Sequence, residues 1–294
     1  MLSSNVMLRR QTTGSVVCPS CGRLVGVLDA KCFNCGHPVP GLWGYGPAIN
    51  RLTQNANVFD VVLGGCVLMF VVSLALRPSA AFEGGGFLSL LSPGGLELFL
   101  LGSSGAAPIF GEGRWWTVLS AAWLHGSLLH IAFNMYWLRG MGPQVAQVLG
   151  PGRTFIVYTA GSVVGFLGTS IMFFVQVPFL QGAAVTVGAS ASLCGLVGGL
   201  YAYGQRTGHS GIKSYVMQFV VSMLIIGLVV DIIDNWAHVF GFLGGYVAAR
   251  LMRPLEDESP FHQLGALLCF VAFFIAIVVS VLHGLPTYRA LSAG

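Results

Sequence analysis

Four residues, His130, Asn134, Ser190 and His238, carry side chains that can do chemistry, and they stand in stretches that are otherwise strongly hydrophobic. A polar side chain is costly in hydrocarbon unless it is paired, so ionisable groups inside a membrane span favour a functional role. A hydroxyl and an imidazole together can supply a nucleophile and its general base. These residue types therefore predict an enzyme active site built inside the membrane.

The spacing of the first two residues argues against a metal site. His130 and Asn134 are four residues apart and share one face of a helix, whereas His125 lies five residues before His130 and is rotated off that face. A helical zinc protease needs the string HExxH, which does not occur in the chain. Taken alone, His130 and Asn134 could also simply join two helices by hydrogen bonds.

The surroundings of Ser190 and His238 are rich in small residues. Ser190 follows Gly188 at the expected start of a helix, where free backbone N–H groups can hold an oxyanion. Small residues continue between positions 195 and 204, a pattern that by itself mainly indicates helix packing. His238 is followed by Gly241 and Gly245, which form a complementary groove. If the two helices touch, His238 can accept the proton of Ser190.

The composition is that of a membrane protein, because 55% of the residues are hydrophobic and only 8% are charged. The mean hydropathy of +0.78 agrees. A span needs about 20 apolar residues to cross ~30 Å of hydrocarbon. Runs near that length predict seven transmembrane helices, at 58–76, 116–138, 154–176, 187–204, 212–233, 236–252 and 263–283.

The distribution of basic residues predicts a cytoplasmic N-terminus, since Lys and Arg favour the inner side. Eleven then lie inside: Arg9, Arg10, Arg23, Lys31, Arg51, Arg139, Arg153, Arg206, Lys213, Arg250 and Arg253. Three lie outside: Arg77, Arg114 and Arg289. The net charge of +4 thus reflects topology better than a generic basic patch, and no nucleic-acid partner is expected. Residues 1–17 lack the apolar core of a signal peptide, so the first span is expected to act as an uncleaved anchor.

Two CxxCG strings in the N-terminal arm predict a zinc ribbon. One Zn²⁺ could be held tetrahedrally by Cys18, Cys21, Cys32 and Cys35. His37 could replace one of these cysteines as a ligand, although the four cysteines already fill the site. Disulfides are the alternative, which the reducing cytoplasm disfavours. Four ligands leave no open position, so the zinc is expected to be structural, and the ribbon either binds an unidentified cytoplasmic partner or caps the arm.

The remaining segments have simpler interpretations. Residues 1–17 form a flexible N-terminus, 18–38 the ribbon, and 39–57 a linker rich in Gly and Pro. The apolar stretch 87–101 is interrupted at Pro93 and predicts a pair of short interfacial segments. The tryptophans of the next segment are expected at headgroup level, namely Trp115, Trp116 and Trp123. The single cysteines in the spans are expected to fill space there, namely Cys66, Cys194 and Cys269.

Three ordered motifs resemble those of rhomboid intramembrane serine proteases. They are HxxxxHxxxN from His125 to Asn134, GxS ending at Ser190, and AHxxGxxxG from Ala237 to Gly245. The resemblance implies an all-α polytopic membrane protein with a six-helix core at 58–252 and an extra transmembrane helix in 253–294. It makes Ser190 the nucleophile, His238 the general base, His130 and Asn134 the oxyanion support, and His125 and Gly188 supporting residues. It also moves the start of the second helix to about Gly126.

The chain departs from the family pattern at two positions. Ala191 replaces the usual glycine after the nucleophile, and Thr117 replaces the arginine that usually follows tryptophan, for which Arg114 could compensate. Rhomboids use a Ser-His dyad without an acid, so Asp231 and Asp234 are interpreted as solvated loop residues.

By the same resemblance, the enzyme would cut single-span proteins embedded in the bilayer, with no cofactor in catalysis. The substrate helix hides its carbonyls in i to i+4 bonds and must unwind locally, entering at the second, fifth or sixth helix.

An inactive rhomboid-like protein that binds client helices is the alternative, although this chain keeps both the serine and the histidine. A transporter is disfavoured, because no half-to-half repeat appears. The expected location is the cell membrane, with the site opening to the outer side.

Overall fold

The computed structural model describes residues 10–18, 20–45, 58–83, 86–175, 177, 180–229, 233–256 and 258–292. Its chain forms two compact units, Met1–Asn57 and Val58–Gly294. Most of the predicted linker (46–57), the first nine residues of the N-terminus and Asp231 lie outside the described residues.

The first unit contains a two-stranded antiparallel hairpin, with strands β1 (Ser15–Val17) and β2 (Leu24–Gly26), in which Val16 pairs with Val25. Its small core consists of Val25 and the cysteines Cys18 and Cys32, against which Val16 and Cys21 pack. So little apolar surface stabilises a fold only weakly, and domains below about 40 residues usually need a metal, disulfides or oligomerisation. Cysteine side chains therefore make up most of this small core.

The second unit is built from long helices, as the sequence predicts. They are α1 (Val58–Leu76), α2 (Leu128–Leu149), α3 (Pro151–Val175), α4 (Ser190–Thr207), α5 (Ser210–Val229), α6 (Asn235–Leu251) and α7 (Pro260–Ser292). Four, namely α1, α3, α5 and α7, are long and apolar enough on composition alone to cross a membrane. The protein is an all-α polytopic membrane protein with a six-helix core and one further C-terminal helix.

The second helix starts later than hydrophobicity alone predicts. A span from 116 is wrong, because α2 begins at Leu128, where Ser127 accepts a hydrogen bond from the backbone N–H of His130. The family resemblance implies a start near Gly126, which is close to the observed start at Leu128. Residues 116–123 are apolar because they pack inward: Trp123 is only 7% exposed and its ring lies against Gly65 and Phe273. Trp123 therefore packs inside the protein, and its expected headgroup depth stays a prediction.

The connection between α1 and α2 contains two short helical pieces in the predicted region, Phe87–Ser89 and Gly95–Leu101. A further short helix, Thr117–Ser120, precedes α2. The stretch after Gly95–Leu101 pairs with the loop between α3 and α4, since Ser104 exchanges backbone hydrogen bonds with Thr186 at 3.0 and 2.7 Å. The connection thus reaches the loop that leads into α4.

Helices α4 and α6 touch through their backbones. A methyl group at Gly245 would overlap the carbonyl of Gly195, and one at Gly241 would overlap the carbonyl of Ala191. Helix α3 also packs closely against α4, because a methyl group at Gly161 would lie 2.9 Å from the Ala191 carbonyl. The small residues predicted to form complementary surfaces therefore do so, and they bring the starts of α4 and α6 together.

Candidate active site

The four predicted site residues line one cavity of about 280 Å³ at the start of α4 and α6. His130 and Asn134 reach it from α2, Ser190 from α4 and His238 from α6. The rest of the wall is mainly apolar and includes Phe133 and Trp137 of α2 with Phe219, Met223 and Ile226 of α5. A larger cavity of about 660 Å³ lies further along α2 and α5 and holds none of the predicted site residues.

Ser190 is the first residue of α4 and is half-buried. The first N–H groups of a helix have no partner within it, so donors surround the hydroxyl. Among the described residues, no side chain caps this end of α4. The helix start can therefore provide hydrogen bonds to a negative oxygen that forms beside Ser190.

Gly188 has a backbone conformation that explains why a glycine stands there. Its φ is +135°, and its N–H donates to the carbonyl of Ala121 over 2.9 Å. A Cβ would lie 2.7 Å from Nε2 of His130 and 3.6 Å from Oγ of Ser190. Any side chain here would fill the gap between these two groups, so Gly188 keeps the site open.

The ring of His130 is held by the turn that starts α2. Its Nδ1 accepts a hydrogen bond from the backbone N–H of Gly126 at 3.4 Å. This bond assigns the proton to Nε2, the nitrogen that lies near Gly188 and Ser190. His130 can therefore donate a hydrogen bond into the cavity.

Asn134 and His125 occupy different positions relative to the cavity. Asn134 is buried, lines the cavity, and donates from Nδ2 to the carbonyl of His130 at 2.9 Å. His125 is fully buried behind His130, with ring centroids 5.2 Å apart, and it is absent from the cavity wall. Asn134 is thus placed to contact a ligand, whereas His125 supports the ring of His130.

Ser190 and His238 share the cavity without being bonded to each other. Within the part of the chain described, no hydrogen bond joins the Ser190 hydroxyl to the imidazole, and Nδ1 of His238 has no partner. Catalytic hydrogen bonds in ligand-free enzymes are often long and tighten when a ligand binds. The contact of Gly241 with the Ala191 carbonyl holds the two helix starts side by side.

Asp234 is not the solvated loop residue that the sequence suggested. It caps α6, and its Oδ1 accepts hydrogen bonds from the backbone N–H of Ala237 at 2.9 Å and the hydroxyl of Thr169 at 2.8 Å. Thr169 in turn accepts from the N–H of Ala183, in the loop before α4. An Asp directly before a helix start is a capping signal, and it could have identified this role.

Ala191 is accommodated away from the cavity. Its methyl group lies toward α3, where a Cβ on Gly165 would be 2.8 Å from it, and Ala191 is absent from the cavity wall. The extra methyl relative to glycine therefore occupies space that Gly165 leaves free.

Arg114 and Thr117 form part of the loop that precedes α2. The guanidinium of Arg114 is fully buried, stacks 4.0 Å from the ring of Phe99 and donates to the Phe99 carbonyl at 2.9 Å. Thr117 donates to the carbonyl of Arg114 at 2.7 Å. Both side chains are therefore buried and make hydrogen bonds inside the protein.

Replacing Gly245 by alanine is expected to destabilise the second unit, because the new methyl would overlap the Gly195 carbonyl. Overpacking of this kind costs about 1–3 kcal/mol, so the thermal midpoint in detergent should fall by several degrees. Gly140→Ala is the matched control, since no atom lies within 4 Å of its would-be Cβ. Equal midpoints for the two variants would mean that α4 and α6 are not in backbone contact.

In the first unit, the four predicted zinc ligands form one cluster. The sulfur atoms of Cys18, Cys21, Cys32 and Cys35 lie within 4.8 Å of one another, and all four cysteines are free. Each pair ends in a turn that closes from glycine N–H to cysteine carbonyl, at 3.0 Å for Gly22 and 2.9 Å for Gly36. His37 is outside the cluster. The four thiols could bind a metal ion.

The thiols in this cluster differ in acidity. A backbone hydrogen bond from Arg23 lowers the pKa of Cys21 to about 6. A backbone hydrogen bond from His37 acts in the same direction on Cys35, but burial and the neighbouring Cys21 and Cys32 thiols outweigh it and raise the pKa of Cys35 to about 11. A cation would stabilise all four thiolates, which fits the donor set of a Cys₄ metal site.

Comparison with known proteins identifies similar chains. Residues 112–255 match the family model of the rhomboid domain. The chain is 29% identical over 178 residues to Rhomboid protease GluP of Bacillus subtilis, covering 60% of this chain and 32% of that protein. It is 29% identical over 208 residues to the mitochondrial RHOMBOID-like protein 6 of Arabidopsis thaliana, covering 65% of each. With RHOMBOID-like protein 5 of the same plant, identity is 32% over 154 residues, covering 49% and 46%. The chain thus spans about a third to two thirds of these relatives.

Proposed function

We propose, from the match of residues 112–255 to the rhomboid domain, that this chain is a rhomboid-family intramembrane serine endopeptidase. The observation that carries the proposal is the shared cavity, because Ser190, His238, His130 and Asn134 come from three different helices and line it together. Such convergence of a hydroxyl, two imidazoles and an amide within an apolar wall is typical of an active site.

In the proposed reaction, Ser190 attacks a peptide carbonyl of the substrate while His238 accepts the hydroxyl proton. The carbonyl oxygen becomes an oxyanion, the peptide C–N bond breaks, and His238 returns the proton to the leaving amine. Water then attacks the resulting ester with His238 again as base, which releases the second fragment and restores Ser190. No metal or cofactor is required for these steps.

His130 and Asn134 would stabilise the oxyanion. The bond from Gly126 to Nδ1 leaves the Nε2–H of His130 free to donate on the Ser190 side. The amide of Asn134 lines the same wall. Together with the free N–H groups at the start of α4, these donors would surround the oxygen in a largely apolar site, where hydrogen bonds to developing charge have their largest effect.

The substrate would be a single-span membrane protein that enters between α2 and α5. Apolar side chains from both helices line the cavity, and most of the α5 side chains are exposed. A helical substrate must unwind to offer a carbonyl, and the polar groups of the site could replace the hydrogen bonds that it loses. Substrates with Gly or Pro in the upper half of the span should therefore be favoured.

The proposed orientation puts the N-terminus in the cytoplasm and the cavity toward the outer face of the cell membrane. The support is the distribution of the basic residues, eleven on one side and three on the other. The starts of α4 and α6, where the cavity lies, then belong to the outer half.

A cleavage assay with wild-type protein separates the protease from a non-catalytic binder of client helices. Purified protein in detergent should cut a tagged single-span reporter and should react with a fluorophosphonate probe at one serine per chain. A binder would retain the uncut reporter on an affinity column and leave the probe unreacted. That second result would contradict the proposal.

For the first unit we propose a structural zinc ion held by Cys18, Cys21, Cys32 and Cys35. The donor set favours zinc, since four thiolates around one ion are typical of closed structural sites. Bound zinc would contribute folding energy to a unit whose core is otherwise very small. A cytoplasmic partner of this ribbon is a further part of the proposal.

Cys18→Ser should release the metal while leaving cleavage in detergent largely intact. The variant removes one of four ligands, and the cluster shares no residue with the cavity that contains Ser190. Metal content by mass spectrometry should fall from about one zinc per chain to near zero. Cys269→Ser, which alters a free thiol outside the cluster, should keep its zinc. Full zinc retention in Cys18→Ser, or loss of cleavage in a well-folded core, would contradict these expectations.

A further inference from the structure

The C-terminal helix α7 carries a buried polar residue in its second half. Helix α7 packs against α3 and against the short helices Gly95–Leu101 and Thr117–Ser120. Ser280 is fully buried, and the residues from Leu264 to Val279 that precede it in this helix are apolar or glycine. A hydroxyl buried in this way is costly unless it has partners. The contacts of Ser280 therefore indicate what the helix does.

Ser280 is the centre of a hydrogen-bonded cluster that joins α7 to the loop before α2. Its Oγ accepts from Nε1 of Trp116 at 3.0 Å and lies 3.3 Å from Oγ of Ser120. Its backbone carbonyl accepts from the buried guanidinium of Arg114 at 3.2 Å. One turn further on, the ring of His283 packs edge-on against Trp116. Four contacts thus converge within one turn of α7.

From this cluster, a short chain of contacts leads to the serine of the active site. Ser120 donates to the carbonyl of Gly102 at 2.8 Å, and the next residue, Ala121, accepts the N–H of Gly188 at 2.9 Å. Gly188 lies two residues before Ser190, and its would-be Cβ is 3.6 Å from the Ser190 hydroxyl. The Ser280 cluster therefore holds the segment that fixes the approach to Ser190.

A second set of contacts joins Ser280 to the loop before Ser190, through the residues that follow Gly102. Ser104 exchanges two backbone hydrogen bonds with Thr186, and Ala106 donates to the carbonyl of Ala183 at 3.0 Å. Gly102 is packed so closely that a Cβ would overlap the hydroxyls of both Ser120 and Ser280. The loop before Ser190 is thus bound on two sides by segments that meet at Ser280.

We propose that α7 braces the active site and that Ser280 is a positioning residue for Gly188 and Ser190. The catalytic part of this inference rests on the proposed protease function, whereas the brace itself does not. Because Ser280 would act through Ser120 and Ala121, its loss should loosen the loop before Ser190 without removing any group that touches substrate. The extra helix beyond the six-helix core then has a specific task.

The brace can be tested by hydrogen exchange with Ser280→Ala, which removes the hydroxyl and leaves the helix intact. Backbone amides in 183–188 should exchange about tenfold faster than in the wild type, because local opening becomes easier. The turnover number for a reporter should fall about tenfold with KM unchanged, since misplacement of the nucleophile affects the chemical step. Ser292→Ala, at the exposed end of the same helix, is the matched control and should match the wild type in both readouts.

The outcomes separate this inference from the proposed function. Unchanged exchange at 183–188 in Ser280→Ala would overturn the brace even if the wild type cleaves its substrate. Faster exchange in a chain whose wild type neither cleaves nor reacts with the probe would support the brace and overturn the protease. Should Ser280→Ala fail to fold, Trp116→Phe removes the indole donor and keeps an aromatic ring. It should then show the same faster exchange, and wild-type exchange in Trp116→Phe would equally overturn the brace.

Discussion

Replacing Ser190 by alanine is expected to lower the cleavage rate at least about 1,000-fold, to the background of the assay. The hydroxyl is the group proposed to form the covalent bond; Ser127, which also lines the cavity, caps α2 by accepting from the backbone N–H of His130. Binding should survive, since the apolar wall of the cavity is unchanged. The measurement is the initial rate of reporter cleavage in detergent, together with retention of the uncut reporter.

Ser192→Ala is the matched control for this result. Ser192 lies two residues further along α4, is fully buried and is absent from the cavity wall. Its replacement removes the same atoms from the same helix, and the rate should remain within a few-fold of wild type. Equal losses in Ser190→Ala and Ser192→Ala would rule out Ser190 as the nucleophile.

Replacing His238 by alanine should also lower the cleavage rate by about 1,000-fold or more, because the serine then lacks its base. Unlike Ser190→Ala, this variant keeps the hydroxyl. The fluorophosphonate probe should therefore still find Ser190, but at a greatly reduced rate. Rates of cleavage and of probe attachment, measured over the same range of pH, give the two readouts.

His209→Ala serves as the control for the histidine. His209 lies at the start of α5, where its Nδ1 accepts from the N–H of Ile212 at 3.3 Å, and it lines the larger cavity and not the site. Both rates should stay near those of the wild type. Normal cleavage by His238→Ala would show that another group takes the serine proton.

The sequence predicts the site well where its pattern determines local geometry. His130 and Asn134 face the cavity together because four residues make about one helical turn. Gly241 and Gly245 were expected to let α6 approach α4, and both lie against α4 carbonyls. In these cases the spacing and the size of the residues are sufficient, because helix geometry then determines which side chains meet.

Prediction fails where hydrophobicity has more than one cause. Trp123 reads as part of a span or an interfacial anchor, yet it is buried under Gly65, because a loop that packs inward is as apolar as a helix in lipid. Asp234 was predicted to be solvated, although its position before α6 signals the cap that Ala237 N–H completes; the second donor, the hydroxyl of Thr169 on α3, has no local signal. No sequence pattern predicts the role of Ser280, because its hydrogen-bond partners are more than 150 residues away in the chain. Long-range contacts of this kind are not encoded in any local pattern.

The most direct test is an experimental structure of the wild-type protein with a phosphonate inhibitor bound covalently. We expect the phosphorus to be attached to Oγ of Ser190, with Nε2 of His238 about 3 Å from that oxygen. The phosphonyl oxygen should then accept hydrogen bonds from His130 or Asn134 and from the start of α4. An adduct on another residue, or an imidazole too far from Ser190 for even one bridging water, would contradict the proposed pairing.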